Sequence, residues 1–568
     1  MNTQKQHNNK PWLNYYGINV PEKMRYEGLT IPGFLMQSVK AYPDLTALNF
    51  KGYKISYVQL LNMVNTLSCC LKKFGVKKGD CVGIILSNVI PSVVSYYATL
   101  KIGGVVVMIK PTCSDSEIEY QLNDSGVKVL VTLDILADRL IALRRKTKIQ
   151  RVIYTSMGDY LPFPQNRLYP MISKKKGLGP CVSPARDLYT WKSIMAERPL
   201  IVGEESISLS DVAMVQYTGG ASGVSNGVVL THGNLSSQVQ QMNTWFPDFI
   251  KGQEKFLGAL PFYHMYGMTI AANWAMVNGW ETILVAKPEP EILLKVIKQA
   301  KPGIAVFLPT MIMGMMNHPD FQKTDISSLK ACFSGSAPLS GSVIKAFEEK
   351  SGAVVVEGYG LTEATAITHI NPVSKKIRKL SSIGIPLPDT ECMLIDTRAP
   401  EQDVPVGAPG ELLIRGPQIM RGYLGKDEES KRVLANGWLR TGDVAYRDDD
   451  GFFYVVDRVR DMIISDGKNV YPREIDEVIT QHPKVSEACA IGIPNEKKGE
   501  MVKLFVVLKK GETATPEEFI DFCKDKIDPY KWPSQVEIRE ALPKTHIGRI
   551  LRQKLKDEEL RRFTSSSQ

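Results

Sequence analysis

The longest apolar stretch of the chain, residues 82–109, places the strongest limit on its fold. Residues that do not suit a membrane-spanning helix interrupt it: Asn88, Pro91, Lys101 and the pair Gly103-Gly104. A helix that crosses a bilayer needs about 20 consecutive apolar residues. The stretch divides better into a strand, a helix and a strand, at residues 82–86, 91–101 and 105–109. Because such continuously apolar strands are typical of parallel sheets covered on both faces, we expect a buried βαβ unit.

The alternation of strand and helix patterns continues along the chain. Further apolar, β-rich runs lie at residues 213–217, 255–260, 282–285, 303–308 and 353–357. Amphipathic stretches separate them, as in layered α/β proteins. With 568 residues the chain is longer than one hydrophobic core usually supports, so we expect two or more domains.

The last hundred residues predict a separate, small α+β domain. Its expected elements are a helix from Pro472, strands at 488–493 and 503–508, and a helix with a capping box of Thr515 and Glu518. A run with four charges in five residues, 457–461, precedes it and is either solvated surface or a hinge. The predicted division is therefore a large N-terminal part, 1–457, and a small mobile part, 458–568.

Charge and cysteine content limit the partners. The nine cysteines are scattered without a C-x-x-C pair, which fits reduced thiols of a cytoplasmic protein and no zinc site or disulfide framework. The net charge of +10 suits anionic ligands and permits peripheral contact with an anionic membrane, although a merely solvated basic surface explains it equally well. The chain lacks a basic motif interleaved with aromatic residues, so we expect no nucleic-acid partner.

A loop of small residues between Tyr217 and Val228 is the first chemical signal. It reads YTGGASGVSNGV and offers backbone N–H groups and hydroxyls with little side-chain bulk, as polyphosphate binding requires. It is not a Walker A loop, since position 226 is Asn and no Lys follows the glycines. Alone, the loop is equally compatible with a structural turn.

A second signal, Tyr359-Gly360-Leu361-Thr362-Glu363, places a hydroxyl beside a carboxylate. A hydroxyl can contact a phosphate, and a carboxylate can ligate Mg²⁺. The two signals together predict an enzyme that uses ATP.

Six motifs occur in a fixed order along the chain. They are the loop from Tyr217, the Tyr359–Glu363 segment, Gly437–Asp443, Asp457-Arg458, Gly467–Ile475 and Leu542–Arg549. In this order the chain resembles the adenylate-forming superfamily, and within it the bacterial long-chain fatty acid–CoA ligases, from Trp12 to about Arg561. The resemblance implies an α/β fold with a large, multi-subdomain N-terminal adenylate-forming domain and a small, mobile C-terminal domain.

The resemblance also implies a reaction and its ligands. Such enzymes activate a carboxylate with ATP and Mg²⁺ to acyl-AMP, and CoA then displaces AMP. The residues implied to bind ATP or AMP are Thr218, Gly219, Gly220, Ala221, Ser222, Gly223, Gly335, Ser336, Ala337, Glu357, Gly358, Tyr359, Gly360, Thr362, Asp443 and Arg458. Among them, Tyr359 would stack on adenine and Asp443 would bind the ribose. Glu363 would hold Mg²⁺.

Further roles are implied for the mobile domain and for a gate. Gly467, Lys468 and Asn469 would line the CoA channel, and Arg460 would be the hinge. Arg549 would enter the site during adenylation. His264 matches an aromatic gate near the acyl carboxylate, although a histidine in an apolar stretch is also typical of a protein core.

Two departures from the family pattern bear on activity. The phosphate loop of relatives ends in Pro-Lys or Ala-Lys, whereas this chain has Ser225-Asn226. The lysine of the C-terminal motif is replaced by Arg549, and a forked guanidinium is not equivalent to an ammonium at a tight site. Lys544, Arg552 and Lys554 lie close in sequence and are candidates for compensation.

The acyl group and the acceptor stay open. Acetate-specific relatives carry Trp where this chain has Gly360, so the glycine predicts a path for a longer chain. A ligase that passes its acyl group to a carrier protein and a weakly active or noncatalytic relative are the alternatives. The sequence leaves the oligomeric state open, with a homodimer as one option.

Overall fold

The computed structural model describes residues 10–175, 182, 186–198, 205–218, 225–400, 402–495, 499–544 and 550–566. The chain divides into two compact units. The first comprises Met1–Glu391 and Ile414–Leu439, and the second comprises Cys392–Leu413 and Arg440–Gln568. The division at 457/458 and the hinge near residues 457–461 stay predictions.

The strands of the chain up to residue 307 are β1 (Thr46–Phe50), β2 (Tyr53–Ser56), β3 (Cys81–Ile85), β4 (Val105–Met108), β5 (Val129–Leu133), β6 (Arg151–Thr155), β7 (Leu188–Thr190), β8 (Val212–Thr218), β9 (Asn226–Thr231), β10 (Lys255–Gly258), β11 (Glu281–Leu284) and β12 (Ile304–Phe307). The later strands are β13 (Ala331–Ser334), β14 (Val354–Tyr359), β15 (His369–Ile370), β16 (Ile385–Pro386), β17 (Glu391–Ile395), β18 (Gly410–Arg415), β19 (Gly422–Tyr423), β20 (Leu434–Ala435), β21 (Trp438–Arg447), β22 (Phe453–Arg458), β23 (Ile463–Ser465), β24 (Lys468–Val470), β25 (Val485–Asn495), β26 (Gly499–Leu508) and β27 (Gln535–Ile538).

The α-helices are α1 (Ile31–Ala41), α2 (Tyr57–Lys73), α3 (Ile90–Lys101), α4 (Asp115–Ser125), α5 (Ala137–Leu143), α6 (Gln165–Lys175), α7 (Trp191–Met195), α8 (His232–Trp245), α9 (Trp274–Val277), α10 (Pro290–Ala300), α11 (Pro309–Met316), α12 (Gly341–Ser351), α13 (Asp427–Val433), α14 (Pro472–Ile479), α15 (Pro516–Lys524) and α16 (Arg552–Ser566). Shorter 3₁₀ turns lie at Pro11–Tyr15, Asp134–Leu136, Arg144–Lys146, Thr362–Ala364 and Pro529–Lys531, and a π-helix lies at Gly267–Asn273. Among the described residues, none of the helices combines the length and the apolar composition that crossing a bilayer would need.

Two large sheets form the first unit. One has the strand order β16-β15-β14-β13-β12-β10-β11-β1-β2, with parallel strands from β14 to β1. The other has the order β19-β9-β8-β4-β3-β5-β6-β7, with parallel strands from β8 to β7. Parallel strands need helical crossovers, which cover both faces and bury the strands. The architecture is therefore α/β, as the sequence predicts.

The βαβ unit predicted from residues 82–109 is confirmed. Strands β3 and β4 pair in parallel, with Cys81 opposite Val105, and the buried helix α3 connects them. The strands predicted at 213–217, 255–260, 282–285, 303–308 and 353–357 are also present, as β8, β10, β11, β12 and β14. Apolar periodicity thus locates the central strands of both sheets.

A smaller antiparallel sheet, β24-β23-β26-β25, forms the C-terminal part of the second unit, and β27 joins β26 in parallel. Helices α14 and α15 pack on it over a core that includes Ile475, Leu504 and Phe519. The predicted capping box was wrong: Thr515 is the N-cap of α15, but its hydroxyl makes no capping hydrogen bond in the described helix. The ammonium of Lys484, 2.9 Å away, and to a smaller degree a hydrogen bond from the Thr515 backbone N–H lower the pKa of the Glu518 carboxyl, so only the Glu518 half of the box is present.

Candidate active site

Two predicted nucleotide-binding segments meet at the carboxyl edge of the first sheet. Parallel strands β13 and β14 lie side by side, so Gly335, Ser336 and Ala337 follow β13 next to the end of β14. A Cβ on Gly335 would lie 3.1 Å from the carbonyl oxygen of Gly358. Glycine therefore allows the close approach of these two backbones, at the edge where α/β sheets bind ligands.

Glu357 lies just before this edge and is buried. One carboxylate oxygen accepts a hydrogen bond of 3.1 Å from the backbone N–H of Ser381. Burial raises the pKa of the Glu357 carboxyl to about 7, although this hydrogen bond and the charge of Arg378 lower it. The side chain thus joins β14 to the segment around Ser381, and its predicted contact with nucleotide stays a prediction.

The 3₁₀ turn Thr362–Ala364 carries the predicted phosphate contact and metal ligand, both half-buried. The hydroxyl of Tyr423 donates a hydrogen bond of 3.0 Å to the carboxylate of Glu363. Burial, then the Glu363 charge, raises the pKa of Tyr423 well above its usual range, so this donor is neutral. The backbone N–H of Met420 also donates to the Glu363 carbonyl, at 2.8 Å. One neighbouring segment therefore holds both the backbone and the carboxylate of Glu363.

Strained backbone follows this turn. Thr365 and Ala366 have φ values of 56° and 115°, which side-chain-bearing residues rarely adopt. The Thr365 hydroxyl donates a hydrogen bond of 2.5 Å to the carbonyl of Gln418, which holds the conformation. Strain of this kind persists only where the surroundings impose it, and it clusters at functional sites.

The same strained segment lies close to Gly360. A Cβ at this position would lie 1.7 Å from the carbonyl oxygen of Ala366. Backbone atoms therefore occupy the space in which a side chain would begin. This glycine therefore allows a close backbone approach, and its predicted part in opening a path for a longer acyl chain stays a prediction.

The small-residue loop connects β8 to β9, whose ends pair as Thr218 opposite Asn226. Gly219, Gly220, Ala221, Ser222 and Gly223 lie outside the described residues. Two residues of helix α4 bind the base of the loop. The Tyr217 hydroxyl donates a hydrogen bond of 2.6 Å to Asp124, and the Tyr120 hydroxyl donates one of 3.1 Å to the carbonyl of Ser225.

Asn226 takes part in a polar network that the sequence does not reveal. Its amide donates to the carboxylate of Glu429 at 3.0 Å, and its carbonyl oxygen accepts from the ammonium of Lys426 at 2.6 Å. Strand β19 pairs with β9, which brings the start of α13 to the base of the loop. A cation thus lies beside the base of the loop.

His264 lies after β10 and is exposed, so the alternative of a core histidine was wrong. Its Nδ1 accepts a hydrogen bond of 3.3 Å from the backbone N–H of Tyr266. The π-helix from Gly267 follows directly, and a Cβ at Gly267 would lie 2.3 Å from the Pro261 carbonyl oxygen. π-helical turns are frequent at functional sites, and the gate role of His264 stays a prediction.

The predicted ribose acceptor and its partner lie together in the second unit. Asp443 on β21 is directly opposite Arg458 on β22, and the Arg458 Nε lies 3.2 Å from the Asp443 carboxylate. Asp443 is buried, whereas Arg458 is partly exposed. The guanidinium therefore orients the carboxylate.

The predicted CoA-channel residues form a tight hairpin turn. Asp466 and Gly467 have φ values of 52° and 71° and join β23 to β24, as in a two-residue turn with left-handed central residues. Lys468 lies 4.6 Å from the centre of the Tyr530 ring, and Asn469 accepts hydrogen bonds from Arg398. The turn thus has a fixed shape.

The predicted hinge and the predicted adenylation residue also belong to the second unit. Arg460, the predicted hinge, is partly exposed, with its Nε 3.9 Å from the carboxylate of Asp461. Arg549 lies outside the described residues. Arg552 is not available to replace it, because this guanidinium is bound to Asp476 and to the Ala490 carbonyl.

Sequence reasoning missed three residues of the site: Tyr423, Lys426 and Arg398. Their partners lie 60, 200 and 71 residues away along the chain. The only local signal was that Tyr423 lies within the short segment Gly422–Gly425 and that Lys426 follows it directly. No motif includes them, so only the fold reveals these contacts.

Known proteins with the same sequence pattern identify the family. The family model for AMP-binding enzymes matches residues 35–424, more than half of the chain. The chain belongs to the AMP-binding enzymes. The model for the C-terminal domain of these enzymes matches residues 474–549. The resemblance to the adenylate-forming superfamily is therefore confirmed.

Individual AMP-binding enzymes are similar over nearly the whole length. The long-chain-fatty-acid–CoA ligase of Bacillus subtilis (strain 168) is 40% identical over 552 residues, 97% of this chain and 98% of that protein. The ligase of the same name from Escherichia coli O6:H1 is 35% identical, with the same coverage. The solved anthranilate CoA ligase AuaEII, in complex with anthranoyl-AMP, aligns with a TM-score of 0.81 at 23% identity, over 95% of this chain and 98% of that one. This last likeness shows the fold alone.

Proposed function

We propose that this chain is an AMP-forming ligase that activates a long-chain fatty acid with ATP and transfers the acyl group to CoA. Two relatives that are 40% and 35% identical over nearly the whole chain bear the name long-chain-fatty-acid–CoA ligase. The observation that carries the proposal is the Glu363 carboxylate, oriented by Tyr423 beside Thr362 and following the carboxyl edge of the sheet.

In the first half-reaction, a carboxylate oxygen of the fatty acid attacks the α-phosphorus of ATP. The bond to the bridging oxygen breaks, pyrophosphate leaves, and acyl-AMP forms. Thr218 and the loop that follows it hold the outer phosphates, and Thr362 donates a hydrogen bond to the α-phosphate. Tyr359 and the Gly335–Ala337 segment bind adenine, and Asp443 accepts hydrogen bonds from the ribose hydroxyls.

In the second half-reaction, the sulfur of CoA attacks the acyl carbonyl carbon and AMP leaves. The rigid turn Gly467–Asn469 lines the CoA channel, and rotation near Arg460 brings it into use in place of the Arg549 segment. His264 acts as the gate beside the acyl carboxylate. The enzyme works in the cytoplasm and contacts the membrane peripherally.

Glu363 fits a role as ligand for Mg²⁺. Within the described residues, no three His, Cys, Asp or Glu side chains cluster as a metal site. Mg²⁺ in nucleotide enzymes is held by one or two carboxylates together with the phosphates, so a single oriented carboxylate is a suitable ligand set. When bound with ATP, the ion offsets the negative charge that develops on the phosphates.

Lys426 supplies the cation that the phosphate loop itself lacks. Its ammonium lies 2.6 Å from the Asn226 side chain, and Asn226 is opposite Thr218 at the loop's base. An ammonium at this position attracts an anionic polyphosphate, and Glu429 fixes the amide that orients it. Asn226 is thus a spacer between the loop and a cation from helix α13.

Arg549 takes the place of the lysine that bridges the fatty-acid carboxylate and the α-phosphate. Its guanidinium keeps the charge, but the planar fork fits less well between two anionic oxygens. We expect Arg549→Lys to speed acyl-AMP formation and Arg549→Ala to slow it by about 10², while thioester formation from preformed acyl-AMP barely changes. Equal effects on both half-reactions would show that Arg549 does not act in adenylation.

A product assay with ATP, Mg²⁺, CoA and fatty acids of increasing length tests the function. We expect AMP, pyrophosphate and acyl-CoA in equal amounts, with long-chain acids as the better substrates. Accumulation of acyl-AMP without thioester would indicate transfer to a carrier protein. Failure to consume ATP with any acid would contradict the proposed function.

A further inference from the structure

Helix α6 of the first unit turns its apolar residues to the outside. Phe163, just before the helix, is 75% exposed, and Met171, Ile172 and Leu168 are 72%, 50% and 47% exposed. Large apolar side chains exposed singly are common on proteins, but a cluster of four in ten residues calls for a partner.

The geometry of the helix gathers these side chains on one face. Leu168, Met171 and Ile172 are spaced i, i+3, i+4, and Lys175 continues the series at i+7. The opposite face is the one that packs on the protein: Ser173 is 3% exposed, and a Cβ on Gly158 would lie 2.6 Å from the Tyr169 ring. The helix is therefore anchored by its polar side and presents its apolar side to the surroundings.

Basic residues surround this apolar face. Arg167, Lys174 and Lys175 are exposed, and the Arg167 guanidinium lies 5.8 Å from the Phe163 ring centre. The sequence from 160 to 185 contains no Asp or Glu, while it contains Arg167, Lys174, Lys175 and Lys176; Arg186, which follows, lies 3.8 Å from Asp187. The acidic residue before this segment, Asp159, lies 3.2 Å from Lys192. The surface thus combines exposed apolar side chains with the exposed cations Arg167, Lys174 and Lys175, and its own sequence from 160 to 185 supplies no acidic residue.

We propose that α6 and Phe163 form a docking surface for an anionic lipid bilayer. A short helix with an outward apolar face and a basic border lies in the interface plane, where the apolar side chains enter the acyl region and the cations meet the lipid phosphates. An apolar groove of another protein could cover the apolar face, but it would leave the positive charges at its border without a partner. These positive charges favour an anionic partner. The proposal names the surface for the peripheral membrane contact proposed above. It rests on the proposed function, because a membrane is where long-chain fatty acids are held.

Vesicle sedimentation of the full-length protein tests the proposal without turnover. We expect binding to vesicles of phosphatidylcholine mixed with phosphatidylglycerol, weaker binding to phosphatidylcholine alone, and release by high salt. Met171→Gln combined with Ile172→Gln should weaken binding by at least about tenfold. Lys174→Gln combined with Lys175→Gln should weaken it mainly on the anionic vesicles.

Matched substitutions elsewhere serve as controls. Ile18→Gln with Ile250→Gln removes exposed apolar side chains, and Lys509→Gln with Lys510→Gln removes an exposed basic pair. Both should leave vesicle binding unchanged. Acyl-CoA synthesis from a dissolved acid should stay the same in every variant, which also shows that the α6 variants fold.

Three results would overturn the proposal. One is a parent protein that binds neither kind of vesicle. Another is an α6 variant that binds as tightly as the parent. The third is an α6 variant that changes the oligomer size but not vesicle binding, which would assign the surface to a second copy of the chain. A parent that binds vesicles but makes no acyl-CoA would contradict the proposed function and leave this inference standing.

Discussion

Glu363 and Asp443, the two acids proposed to bind ATP and Mg²⁺, are oriented in two different ways. Glu363 accepts a hydrogen bond from the neutral hydroxyl of Tyr423, whereas Asp443 lies 3.2 Å from the guanidinium nitrogen of Arg458. A neutral donor fixes a carboxylate without adding positive charge, which suits a metal ligand. A guanidinium adds positive charge, which suits an acceptor of neutral hydroxyl groups. The neighbours thus suit two chemically similar side chains to the different tasks proposed for them.

The largest effect is expected from Glu363→Gln, which removes the negative charge with little change in shape. If Glu363 is a Mg²⁺ ligand, turnover should fall by at least about tenfold, and more Mg²⁺ should be needed for half-maximal rate. Initial rates across a Mg²⁺ titration measure both. The exposed Glu349→Gln is the control, and an unchanged rate at saturating Mg²⁺ would mean that Glu363 has only a structural role.

Asp443→Asn should act on ATP affinity more than on turnover. The amide replaces one acceptor oxygen by a donor, so hydrogen bonds from the ribose hydroxyls are lost. We expect the KM for ATP to rise by about fivefold to tenfold with a nearly constant kcat. A variant at the exposed Asp449 should match the parent. A fall in kcat with unchanged KM would contradict the proposal that Asp443 binds the ribose while Glu363 holds the metal.

Lys426→Met should raise the KM for ATP by about threefold to fivefold, because a cation at the base of the phosphate loop is lost. Asn226→Lys, introduced into the same variant, should restore the affinity by placing an ammonium on the loop itself. Lys431→Met on the same helix is the control, since Lys431 pairs with Glu428. If Asn226→Lys does not rescue, Lys426 acts only through the packing of α13.

The smallest effect is expected in how the free energy of unfolding depends on pH through Glu357. Its folded pKa of about 7 exceeds the unfolded value, so the folded state binds this proton more tightly. Its contribution to the free energy of unfolding is therefore full below about pH 4.5 and is lost as pH rises to about 7. Glu357→Gln should stabilise the protein more at pH 8 than at pH 5, measured by thermal unfolding. Equal shifts at both values would contradict the raised pKa.

The fold could be predicted where its signals are local. The βαβ unit from β3 to β4 and the buried central strands follow from short apolar runs with Gly or Pro at their ends. The pairing of Asp443 with Arg458 was also within reach, because both belong to motifs of one family. Patterns of this kind depend on neighbouring residues alone.

Contacts between distant residues could not be predicted. Tyr423 and Lys426 act on partners 60 and 200 residues away, and residue type gives no sign of these contacts. Thr515 is a residue type that commonly caps helices, yet its hydroxyl makes no capping hydrogen bond. The Glu518 carboxylate pairs with Lys484, which belongs to a different segment. Tertiary geometry decides which of several possible hydrogen bonds a polar side chain makes.

The backbone contact at Gly360 has an evolutionary consequence. The first atom of any side chain introduced here would lie 1.7 Å from the Ala366 carbonyl oxygen. The segment from Gly360 to Ala366 would have to change its path before such a substitution could be tolerated. A side chain at position 360 therefore cannot be the first mutation, and lineages or engineered libraries would reach it only through earlier changes in that segment.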